Sequence, residues 1–285
     1  MKTRLLAVLA VVVVGAFAVQ AQAQDSRAKA RDVVAKNIEA VVWVSSVVKL
    51  EISAGGRSMG NPEDKVLALG TVIDPSGLTV LALSAIDPGS SLQGRKMNVG
   101  GENVELVVKS EHNQVKIEIG DKEFPARIIL KDPDLDLAFV IPEKADTNLG
   151  VKPLKLEKAP KLELLDELVC LARMVKALDQ APAAAMSEVS GIVTKPRTFF
   201  LGGRQAGGPV LTLDGTVVGI TATYKTEAGK QESATLVIVP AEDVLEIAMQ
   251  ALAKKDQPAT SEPATTGPAT TATSSKPTSN ESKTP

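Results

Sequence analysis

The chain has 285 residues and a formal net charge of −2, with 44% hydrophobic and only 2% aromatic residues. That is enough apolar material for one large or two small domains, with Val, Leu, Ile and Ala as the filling. The near-neutral charge gives no electrostatic reason to expect nucleic acid or an anionic membrane as partner, and the shortage of rings argues against a stacking platform for single strands.

The N-terminus reads as a secretory signal over residues 1–23. Lys2 and Arg4 form a basic start, Leu5 to Val19 an apolar stretch, and Ala21-Gln22-Ala23 a cleavage site with small residues. The apolar stretch is short of the roughly 20 residues that span a bilayer, so cleavage near Gln24 and a periplasmic or secreted protein without an integral membrane span are expected. A helix is predicted over residues 26–40, where Val33, Val34 and Ile38 recur at helical spacing. It could pack on the body of the protein or serve in forming a homo-oligomer.

From Val41 onward the texture is β. Short runs such as "VKIEIG", "ARIIL", "LAFVI" and "LVCLA" are separated by turn signals at Asp74 to Gly77, Gly100-Gly101, Asp132-Pro133 and Asp214-Gly215. Short strands at this density suggest barrels or sandwiches rather than βαβ units. Trp43 is expected in the core or at an interface. Cys170, the only cysteine, lies among apolar residues and reads as a buried, inert thiol. With one cysteine and one histidine in the chain, neither a disulfide within it nor a cysteine-based zinc site can form, and no cofactor is expected.

After Val239 the period changes back to helical. "PAEDVLEIAMQALAKK" has proline at its start, acids in the first turn and lysines at the end. Residues 256–285 are Pro, Thr, Ser and Ala with almost nothing to bury, which predicts a disordered tail.

Three separated stretches belong together through a resemblance. They are "LGTVIDPSGLTVLALSAID" from Leu69, "KDPDLDLAFVIPE" from Lys131 and "RQAGGP" from Arg204. In this order they resemble the protease domain of the HtrA/Deg-type, trypsin-like serine proteases. The resemblance implies a mostly β fold of two six-stranded antiparallel barrels, over residues 41–145 and 146–255, the second carrying the final helix. It places the histidine of the triad at Ser84, the aspartate at Asp136 and the serine nucleophile at Ala206. Arg204 stands where a glycine normally supports the oxyanion hole. Ala234 and Leu236 fall where glycines shape the substrate groove. No PDZ domain, frequent after such protease domains, is legible after the last helix.

A serine has no pKa suited to a general base, and a methyl group attacks nothing. The implied triad is therefore degenerate. His112 lies in the polar segment "KSEHNQ" and reads as an exposed turn residue, remote from any catalytic role. The expectation is an inactive pseudoprotease that binds a polypeptide or an envelope protein. The alternatives are a serine endopeptidase working through an unrecognised device, and a structural envelope protein.

Overall fold

The computed structural model describes residues 24–145, 147–228 and 231–255. The expected signal peptide and tail, residues 1–23 and 256–285, lie outside them. Helix α1 (24–37) and a short 3-10 turn, Ile38–Ala40, lead into the first of fifteen described strands.

Eight strands form the first sheet: β1 (Val41–Ala54), β2 (Arg57–Gly60), β3 (Glu63–Val72), β4 (Thr79–Ala82), β5 (Lys96–Val99), β6 (Glu102–Ile119), β7 (Lys122–Asp132) and β8 (Leu137–Pro142). Their order is β2-β1-β3-β4-β8-β7-β6-β5, and β1 pairs with β6 as well as β3. That double pairing closes a six-stranded barrel, with β2 and β5 as flanking additions. β1 suits this place because it is a β-branched run, "VVWVSSVV", whose first six residues are all buried. The turn between β3 and β4 is set by local chemistry. Asp74 Oδ1 accepts the Ser76 N–H at 2.9 Å, and Gly77 takes φ +83°, where an added Cβ would lie 2.8 Å from Pro142.

The second sheet has the order β10-β9-β13-β14-β15-β12-β11. Its strands are β9 (Glu167–Arg173), β10 (Pro182–Glu188), β11 (Gly191–Val193), β12 (Phe199–Leu201), β13 (Pro209–Thr212), β14 (Val217–Ala228) and β15 (Gln231–Pro240). It is a half-barrel: among the described residues β10 and β11 share no ladder. These edge strands are successive in the chain and meet at a bend. There the Val189 N–H donates to Asp166 O and the Ser190 N–H to Leu201 O. Taken as one bent strand, β10 and β11 bring the strand set to the expected six.

Helix α3 (Ala241–Ala253) follows directly. Pro240 precedes it, Glu242 and Asp243 stand at its positive end, and Val244, Ile247, Ala248 and Ala251 form its buried face. Among the described residues, no helix is long and apolar enough to cross a membrane.

One apolar cluster fills the first barrel around Val44, Leu81, Ile117 and Val140, and another the second sheet around Leu168, Val210 and Ile238. The largest lies between them and under both helices. It joins Trp43, Leu69 and Phe139 from the first sheet to Leu171, Ile220 and Val239 from the second. Trp43 Nε1 donates to Met174 O at 2.8 Å, so this residue is part of the joint between the sheets. Helix α1 packs on its own chain: Ala30 and Val33 are buried in the joint, and the Arg173 guanidinium, from β9, donates to Ile38 O and Val41 O.

Candidate functional site

The site lies where the two sheets face each other. β4 is buried throughout and runs into a single helical turn, α2 (Leu83–Ile86). The Leu83 N–H donates to Asp136 O at 2.8 Å, which pins that turn to the start of β8. Asp136 ends the Asp132–Asp136 turn at φ +55°, a conformation that aspartate tolerates better than most residues.

Ser84 and Asp136 are in direct contact. One carboxylate oxygen of Asp136 accepts the Ser84 N–H at 2.6 Å. The other accepts the Ser84 hydroxyl at 2.9 Å and the Thr223 N–H of β14 at 2.8 Å. Burial, the largest influence on this carboxyl, raises its pKa above the ordinary value of 3.8, against the three hydrogen bonds that favour the ionised form. The folded chain therefore holds this proton more tightly than the unfolded chain. Stability from this group declines as pH rises from 3.8 through the higher folded value. The bonds still matter: Asp136→Ala would leave the partly buried Ser84 and Thr223 N–H groups without this acceptor. We expect it to lower stability by roughly 2–4 kcal/mol, measured as the midpoint shift in urea unfolding at neutral pH.

The loop from Arg204 to Gly208 is clamped between the sheets. The Gly207 N–H donates to Thr221 O at 2.7 Å, and Thr71 of β3 donates its hydroxyl to Gly207 O at 3.0 Å. Gly207 has φ +82°, and a Cβ there would lie 1.9 Å from Leu69 O and 3.6 Å from the Ala82 nitrogen. The loop carrying Ala206 thus rests against the ends of β3 and β4, close in the chain to Ser84. Arg204 does not adopt the left-handed backbone of the glycine it stands for. Beside it, the Cys170 thiol donates to Gly202 O at 3.7 Å. Cys170 is a free, buried thiol whose pKa is pushed up to about 11 by burial, which keeps it protonated and unreactive at neutral pH.

Two cavities flank this arrangement. The smaller, about 180 Å³, lies between β9, β10 and the loop and is lined by Cys170, Ala184, Arg204 and Gln205 among others. The larger, about 520 Å³, opens at Asp136 itself. It is walled by Leu83, Ser90, Pro133 and Asp134 from the first sheet and by Arg197, Phe199, Tyr224 and Lys225 from the second. The Phe199 and Tyr224 rings pack with their centroids 5.1 Å apart and their planes tilted by 47°. Ala206, Ala234 and Leu236 line neither cavity. Leu236 and Ala234 sit on β15 opposite Thr223 and Lys225, and Leu236 is 36% exposed.

His112 is not the exposed turn residue expected from its polar neighbours. It lies inside the long strand β6, and its side chain is only 9% exposed. Lys131 Nζ is 3.1 Å from its Nε2, Asp87 Oδ2 is 3.4 Å from the same nitrogen, and Ser46 Oγ is 3.4 Å from its Nδ1. These partners come from three other segments, which is why a local reading missed them. A serine, a histidine and an aspartate meet here, but Ser46 is 1% exposed and unreachable by any substrate. Thr223 was also missed. Its role rests on a backbone N–H, which no side-chain pattern announces. Among the described residues, no group of three or more His, Cys, Asp and Glu is placed to hold a metal ion.

No protein-family model matches the chain, and no curated protein is similar to it by sequence. Among solved structures the chain is similar to an HtrA-type protease, AlgW, in a serine-to-alanine variant with a tripeptide. The TM-score is 0.50 at 14% identity, over 78% of this chain and 63% of that one. The chain thus spans less than two thirds of that protein. At this identity the likeness establishes the fold: a trypsin-like, HtrA-type arrangement of two β units.

Proposed function

We propose that this protein is a pseudoprotease, with the cleft of a trypsin-like protease but none of its chemistry, that binds a polypeptide segment between its two β units. The observation that carries this reading is the closed set of bonds around Asp136. Its carboxylate is engaged by Ser84 and Thr223. An active triad would need an imidazole there to take a proton from a nucleophile. The only histidine is bound elsewhere, position 206 is alanine, and Arg204 lacks the left-handed backbone of the glycine expected there.

Binding is favoured over a purely structural role by the larger cavity and its floor. From Thr223 to Lys225, β14 pairs with β15 on one side; on the other the Thr223 N–H is taken by Asp136, and the edge from there to Lys225 faces the cavity. An extended polypeptide can add to such a strand edge through backbone hydrogen bonds, with side chains placed alternately in pockets. The basic start, short apolar run and small-residue site at the N-terminus favour export, so an envelope protein or its unfolded segment is the proposed partner.

The test is a panel of fluorescent, unstructured peptides read by anisotropy, together with amide exchange of the complex. Binding should slow exchange at Lys225, and Tyr224→Asp should weaken it about tenfold or more by placing a charge beside Phe199. Peptide cleavage that disappears in Ser84→Ala would favour an enzyme. Absence of protection at Lys225 across the panel would favour a structural role.

A further inference from the structure

We propose that Asp87, His112 and Lys131 form a proton-operated clasp that holds the first-sheet wall of the cleft together at neutral pH and releases it when His112 is protonated. Its consequence for ligand binding rests on the cleft reading above; its chemistry does not.

The wiring follows from donor and acceptor capacity. An ammonium can only donate, so the 3.1 Å contact from Lys131 Nζ makes His112 Nε2 an acceptor. The proton of the neutral ring is then on Nδ1, toward Ser46 Oγ at 3.4 Å. The same ammonium donates to Asp87 Oδ2 at 2.8 Å. Asp87 also accepts the Ser110 hydroxyl at 2.6 Å and the Ser90 N–H at 3.3 Å, both on Oδ1. Nε2 and Oδ2 lie 3.4 Å apart as two acceptors bridged by one ammonium. The groups facing the ring are thus Ser46 from β1, Lys131 from β7 and Asp87 from the segment after α2. Glu111 and its cross-strand partner Lys49 are one position along their strands and project to the opposite face.

Protonation at Nε2 inverts this arrangement. Two cations would then stand 3.1 Å apart, while a new N–H faces Oδ2 at 3.4 Å. Asp87 can exchange Lys131 for the imidazolium. Lys131 is the member able to leave, with its side chain 25% exposed against 9% for His112 and 7% for Asp87. Histidine is the ordinary side chain that changes charge between about pH 5 and 8. Burial by itself would raise the pKa of the Asp87 carboxyl, but Lys131 and Ser110, joined by His112 once its ring is protonated, hold it well below its usual range, and it stays ionised throughout that interval.

The exchange reaches the cleft because the clasp ties together the two segments that build one wall. Asp87 caps the turn Pro88–Ser91, and Ser90 lines the larger cavity. Lys131 is the penultimate residue of β7, two before Pro133, which lines it too with Asp134. At the other end the same segments are joined by Ser84 and Asp136. Releasing Lys131 undoes one tie and leaves the other as a hinge, so the wall loosens at Ser90, Pro133 and Asp134.

Because the chain has a single histidine, its ring can be followed without assignment. Long-range nitrogen–proton spectra at about pH 7.5 should show the Nδ1–H tautomer. Amide exchange in residues 87–92 and 131–135, corrected for the intrinsic pH dependence and referenced to α3, should be about five- to tenfold faster at about pH 5.5 than at about pH 7.5. His112→Gln, whose amide can keep the contacts to Lys131 and Ser46 at either pH, should abolish that response. Lys131→Gln should loosen the same segments at both pH values. An Nε2–H tautomer near neutrality, or an undiminished acid response in His112→Gln, would overturn the clasp; should that variant not fold, an acid response that persists in Lys131→Gln would do so. None of these measurements uses a peptide. Binding of the peptide panel at about pH 7.5 decides the cleft reading separately.

Discussion

Replacing Gly207 by alanine should destabilise the protein by roughly 3–5 kcal/mol, among the largest effects of any single methyl group in the chain. Two causes add. The backbone there has φ +82°, which costs an L-residue about 1–2 kcal/mol. The new methyl would also sit 1.9 Å from Leu69 O and 2.9 Å from its carbonyl carbon. Both are backbone atoms of β3, which cannot swing aside like the end of a flexible side chain. Gly215→Ala separates the two causes. Its φ is +87°, but the nearest atom to an added Cβ is Val33 Cγ2 at 3.9 Å. That variant should lose only the conformational part, about 1–2 kcal/mol. Urea unfolding of both is the measurement. Equal losses would mean that the 204–208 loop is not clamped between the sheets as described.

The second large effect concerns catalysis. The wild-type chain should not hydrolyse peptides or esters, and no single substitution should restore turnover. Ala206→Ser supplies a hydroxyl with no base. Ser84→His places a ring beside Asp136 with no nucleophile to serve. Groups that act as a unit are grossly non-additive. The loop adds a third requirement. An oxyanion hole needs donors fixed where charge develops, and Arg204 lacks the left-handed backbone of the glycine expected in this loop. An ordinary protease stripped of its triad retains roughly 10³–10⁴ over water from that hole and substrate binding, a residue this loop should not supply. Activity is expected only when Ser84→His, Ala206→Ser and Arg204→Gly are combined. Casein and ester turnover, with a serine-directed phosphonate label, would be measured for the wild type, the singles and the triple variant. Wild-type turnover that survives removal of contaminating protease and vanishes in Ser84→Ala would reverse the assignment.

Sequence alone determined the local parts of this protein. The strands containing "VKIEIG", "LAFVI" and "LVCLA" and the turns at Asp74 to Gly77 and Asp214-Gly215 were legible because β-branched runs and glycine's access to positive φ act over a few residues. The final helix was legible for the same reason, through its proline start and apolar spacing. That position 206 carries only a methyl group was legible because folding cannot supply a side chain of another type. Tertiary structure alone decided how the remaining groups are used. It gathered Ser46, Asp87 and Lys131 around a histidine that its polar neighbours had suggested was exposed. It gave Asp136 a partner in the Thr223 backbone, 87 residues along the chain. It left the second sheet as a half-barrel, with no ladder between its edge strands β10 and β11 among the described residues. Each of these depends on which distant segments pack together, and burying a polar group without a partner is costly enough that the packing, not the local pattern, selects the partner.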